Sequence, residues 1–130
     1  MMDVISMSTR HEVYLMFGTK LDIKRYEKAL DQDIDLYGTT SLPWCGKDSV
    51  GNCGILSDVM SGLYCVAGIV LAVQAEDGDP DIGLLNLDEV LQDRMALDFK
   101  VQHWLETNKI LDLVAEDVPR FNLHLVSHWH

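Results

Sequence analysis

The sequence predicts an α+β fold: a four-stranded antiparallel sheet with two helices on one face, in the order βαββαβ. Three observations predict it. Two stretches carry apolar residues at three-to-four spacing, the mark of amphipathic helices. Four shorter apolar runs are bounded by glycine, proline or aspartate, as strands are. The 130 residues leave room for a single domain over 1–130, with residues 1–11 a flexible lead-in.

The first strand is expected at 12–18, where Val13, Tyr14, Leu15, Met16 and Phe17 run up to Gly18. Asp22 then suits an N-cap, and Ile23, Tyr26, Leu30, Ile34 and Tyr37 form one helical stripe that Gly38 would stop. Residues 39–54 hold Pro43, Gly46 and Gly51 without periodicity and read as a long loop. Runs at 55–59 and 63–73 read as a strand pair joined by a hairpin. After an Asp-rich turn at 76–83, Asn86 and Glu89 fit a capping box. The second helix should reach 108, its apolar stripe interrupted only by Arg94. Phe121, Leu123 and Leu125 alternate with polar residues, the pattern of a half-buried edge strand. This order is that of the ferredoxin-like arrangement, with the first and third strands central.

Two helices cover one face of such a sheet. Tyr14, Met16, Tyr64, Val66 and Val70 would then stand on the other, and a homodimer interface is the expected cover. The rival is the 39–54 loop, folding Leu42, Trp44 and Val50 across it.

Composition excludes several classes. With 48% hydrophobic and 24% charged residues the chain suits a folded domain. Three cysteines are too few, and odd in number, for a disulfide scaffold. The longest apolar run falls well short of the ~20 residues a membrane helix needs. The opening residues lack the apolar core of a secretory signal, so a cytoplasmic location is expected.

Charge is more informative. Twenty-one acidic against ten basic residues give a net charge of −11. Such a surface repels phosphate backbones, which argues against direct nucleic-acid binding. It suits docking onto a basic protein partner, or simple solubility. Asp77, Asp79, Asp81, Asp88, Glu89 and Asp93 form the candidate docking stretch, with Asp31, Asp33 and Asp35 a smaller cluster. Trp44, which no periodic burial explains, is the candidate recognition residue.

Chemistry-bearing patterns are sparse. His124, His128 and His130 share one parity on the last strand, near enough to share a metal ion if their rings converge. Cys45 and Cys53 are too widely spaced for a zinc ligand pair, and Cys65 reads as a small core residue. Asp77, Asp79, Asp81 and Asp88 fall on positions of an EF-hand-like loop, but Ile82 stands where that loop needs glycine. Phosphate-binding and nucleophile-elbow motifs are missing, so no catalytic residue and no cofactor is assigned.

Tyr14-Leu-Met-Phe-Gly18-Thr-Lys-Leu-Asp22 and Ile55-Leu-Ser-Asp58-Val-Met-Ser-Gly62-Leu-Tyr64 resemble the small acidic proteins of bacteriophage and related bacterial genomes, over roughly the first half of the chain. The resemblance implies binding and blocking of a host protein, including nucleic-acid-binding defence systems. The leading expectation is a non-enzymatic interaction module. A small-molecule-binding or regulatory domain using the open sheet face and the 39–54 loop is the alternative. A metal-dependent or cysteine enzyme is the third.

Overall fold

The computed structural model describes residues 11–42, 46–57, 64–75, 82–84, 88, 94–116 and 120–129. The strands are β1 (His11–Lys20), β2 (Cys53–Ser57), β3 (Cys65–Ala75), β4 (Ile82–Leu84) and β5 (Asn122–Trp129). The helices are α1 (Ile23–Gln32), α2 (Leu36–Thr40) and α3 (Arg94–Thr107), with 3-10 turns at Gly46–Ser49 and Leu111–Leu113. The main sheet runs β2-β3-β1-β5, every pairing antiparallel, so β1 and β3 are central. β4 is an addition to the expected four strands: it folds back on β3, with Gln74 opposite Ile82 and Ala72 opposite Leu84.

Asp22 caps α1, its carboxylate accepting from the Arg25 amide at 3.1 Å. The helix stops at Gln32, well before Gly38. Asp33 diverts the chain by accepting the Asp35 amide on its own side chain, a local bond that competes with the helical one. Ile34 therefore leaves the expected stripe and stands 86% exposed, while Tyr26 is buried.

Gly18 lies inside β1 and does not end it. It pairs with Gly68 of β3, which pairs in turn with Gly54 of β2, a row of glycines across three strands. A Cβ on Gly18 would come within 2.6 Å of the Gly68 Cα, and closer still to the Ala67 carbonyl oxygen. Only glycine permits backbones this close. At Gly54 the space a Cβ would take is filled by the Leu42 side chain.

Two clusters form the core. The first joins Phe17, Ala67, Ile69 and Leu71 of the sheet to Tyr26 of α1, Val101 and Leu105 of α3, and Ile110. Arg94, the charge on an apolar stripe, is accounted for here. Its guanidinium lies 5.9 Å from the Phe17 ring centroid and donates to the Phe121 carbonyl at 3.3 Å.

The second cluster holds Tyr14, Met16, Leu56, Val66, Val70, Val73 and Val126, with Leu42, Val50 and Tyr64 packed against it. The cover expected for this face, a second copy or the 39–54 loop, is in part supplied within one chain. Tyr14, Met16, Val66 and Val70 are buried within one chain, so no second copy is needed to take them out of water. Leu42 and Val50 of the 39–54 segment supply part of the cover. A register shift in the β1–β3 pairing between Leu15 and Met16 leaves Leu71 as the extra residue. The shift changes parity, so Val73 and not Ala72 continues this cluster.

The last strand is also corrected. Leu123 and Leu125 are 55% and 75% exposed, while Val126, opposite Tyr14, is buried. The described helices do not cover β5 on its Leu123 side, and the apolar alternation there is exposed. Among the described residues β5 pairs only with β1, and its outer edge is unpaired. No helix among the described residues is long and apolar enough to cross a membrane.

Candidate cleft beside Cys53

The expected docking residues are only partly visible. Asp88 is helical and exposed, whereas Trp44, Asp77, Asp79, Asp81, Glu89 and Asp93 lie outside the described residues. The EF-hand-like pattern falls outside them for the same reason, as does the capping box of Asn86 and Glu89. Asp31, Asp33 and Asp35 are all exposed, and they bracket the exposed Ile34. On α3, Asp98 has its Oδ1 buried without a hydrogen-bond partner among the described residues.

The histidine expectation meets a competing bond. His124 is half-buried and its Nε2–H donates to the Gly18 carbonyl at 3.1 Å, which takes that nitrogen from any metal. His128 stands opposite Glu12 in the strand register, its side chain outside the described set, as is His130. Among the described residues no three His, Cys, Asp or Glu side chains gather as a metal site. Glu12 itself is buried and accepts a 2.7 Å hydrogen bond from the Tyr14 hydroxyl.

A cleft that no sequence pattern announces lies between α3 and the start of β2. It is an open groove of about 450 Å³, lined by Gly51, Asn52 and Cys53 on one wall and Lys100, His103, Trp104 and Thr107 on the other. The first wall is fixed by the sheet: Gly51 donates to the Val70 carbonyl at 2.8 Å and Val70 donates to that of Asn52 at 3.0 Å. Gly51 takes a positive φ of 86°, natural for glycine. Asn52 Nδ2 ties back to the Asp48 carbonyl at 2.9 Å. The second wall is one flank of α3, where residues three and four apart are neighbours. Lys100 Nζ reaches across to the Gly51 carbonyl at 3.4 Å. The His103 ring stacks parallel to Phe99, and the Thr107 hydroxyl donates to the His103 carbonyl at 2.8 Å.

Burial raises the Cys53 thiol, only partly opposed by Lys100, so at neutral pH it is a thiol and not a ready nucleophile. Cys45 is outside the described residues. Cys65 is pushed up from 9.0 to about 12 by burial first, then by the charges of Asp22 and Glu27. Its contribution to stability is therefore complete below pH 9 and falls as pH rises toward 12, because the unfolded chain releases a proton that the folded chain keeps. Thermal melts between about pH 8 and pH 11 should show this alkaline loss as shallower in Cys65→Ala than in the wild type. Equal slopes would assign the loss to other groups.

The signal for the cleft in the sequence is slight. Lys100, His103, Trp104 and Thr107 share a helical flank, but nothing in the chain says that Cys53 faces it. Comparison with protein-family models, curated proteins and solved structures gives no match.

Proposed function

We propose that the chain is a non-enzymatic interaction module that docks an acidic surface onto a basic protein partner, in the manner the phage-type resemblance implies. The observation that carries this reading is Ile34, 86% exposed and flanked by the exposed carboxylates of Asp31, Asp33 and Asp35. An exposed branched side chain flanked in sequence by exposed carboxylates can serve as an apolar anchor with its own steering field. A net charge of −11 extends that field over the molecule. The reading takes the fold as the ferredoxin-like arrangement with both helices on one face, supported by the central β1 and β3 and by the cluster that α1 and α3 share. It places the protein in the cytoplasm, with a host protein as its target.

The test begins with affinity capture and mass spectrometry, which should recover a basic protein. Asp31→Lys with Asp35→Lys should then slow association with it about tenfold, because steering acts on the on-rate. Asp33 is left intact because it holds the turn. Wild-type association should slow with added salt, exposed charges being screened within ~8 Å at physiological ionic strength. An unchanged on-rate in the double variant would leave these carboxylates as solubilising groups.

A second reading, a small-molecule-binding domain using the 39–54 segment, is favoured by one observation. Gly51, Asn52 and Cys53 form a wall of the cleft against α3.

A further inference from the structure

We propose that the cleft between α3 and the start of β2 receives a small organic anion with an apolar body, of the class of aromatic carboxylates, its charge held by Lys100 and His103 and its ring by Trp104. This rests on the small-molecule reading of the same cleft and names the ligand chemistry.

Charge is the first ground. The chain carries twice as many acidic as basic residues, 21 against 10, yet among the described residues the lining of this cleft includes no carboxylate. Its ionisable groups are the Lys100 ammonium, the His103 imidazole and the Cys53 thiol. Burial keeps the thiol protonated, so it adds no negative charge to repel an anion. A local positive field inside a strongly negative molecule selects for an anion at this place.

Geometry is the second. A volume of about 450 Å³ admits a ligand of one or two rings. Lys100 is exposed, and its bond to the Gly51 carbonyl is long at 3.4 Å. A carboxylate would offer that ammonium a shorter, charge-assisted partner without forcing it to move far. Trp104 is half-buried, part of its indole packed on the core and part on the cleft. That is the arrangement of an aromatic wall with one free face.

The experiment uses the full chain labelled with ¹⁵N and three probes of equal size: benzoate, benzyl alcohol and benzylamine, titrated at constant ionic strength. Benzoate should shift the amide signals of Asn52, Cys53 and α3 in a saturating manner, at least about tenfold more tightly than benzyl alcohol. Benzylamine should leave them in place. Lys100→Met should weaken benzoate about tenfold and His103→Gln several-fold, whereas Lys24→Met, on the exposed side of α1, should not change it. Both cleft substitutions fall on exposed side chains, and an unchanged spread of amide signals confirms that the variants fold. Benzyl alcohol binding as tightly as benzoate, or full benzoate affinity in Lys100→Met, would overturn the anion assignment and leave a small-molecule cleft standing. No shift with any probe would overturn both.

Discussion

Gly18→Ala is expected to destabilise the protein by about 3 kcal/mol or more, a fall in melting temperature of roughly 10 °C. The new methyl group would press on backbone, the Gly68 Cα and the Ala67 carbonyl, and not on a side chain that can swing away. To make room β1 and β3 must part at the centre of the sheet, where both are paired on each side. Gly68→Ala should do comparable damage from the other strand, since its Cβ would meet the Gly18 Cα at 2.7 Å. Gly38→Ala is the control. Nothing lies within 4 Å of a Cβ there, so its melting point should stay level or rise slightly. Denaturant titration of the three variants reads the difference. A Gly18→Ala chain as stable as wild type would mean that the strands separate at little cost.

Met16→Ala is expected to lose about 2–5 kcal/mol, the range for emptying a fully buried site. Met16 is 0% exposed, between Tyr14, Val70 and Val126 on the face that a dimer had been expected to cover. The informative part is how stability depends on concentration. If one chain buries this face unaided, the melting points of wild type and variant should each stay constant from about 1 to 100 µM. If a second copy supplied the cover, dilution would lower the wild-type midpoint. A midpoint that climbs with concentration would restore the dimer and make the single-chain packing incomplete.

Much of the fold could be read from the chain because its strongest signals are local. The three-to-four spacing from Ile23 to Leu30 marks α1, and the apolar runs around Tyr14 and Val70 mark the central strands. Most of the misreadings concern partners distant in sequence. Gly18 resembles a strand end until Gly68 is placed beside it. Leu123 and Leu125 look like a covered face, and the register does set them opposite Phe17 and Leu15 of the first cluster, yet they stand exposed because the described helices stop short of β5. The parity of β3 holds only as far as Leu71, and no residue type announces a bulge there. Ile34 fits a helical period that Asp33 breaks with its own side chain. The cleft was illegible for a related reason: Cys53 and Lys100 are joined by folding and by no motif.

The edge of β5 that no described residue pairs with gives the net charge another meaning. The strand reads Asn-Leu-His-Leu-Val-Ser-His-Trp and carries no acidic residue and no lysine, the side chains that usually guard such an edge. Among the described residues nothing pairs with that edge, which leaves a short template for strand addition. Separation between copies falls to long-range repulsion, which the remaining −11 provides at neutral pH. That repulsion fades as the solution approaches the isoelectric point near 4.6. Acidification toward that point therefore weakens the repulsion that holds such edges apart.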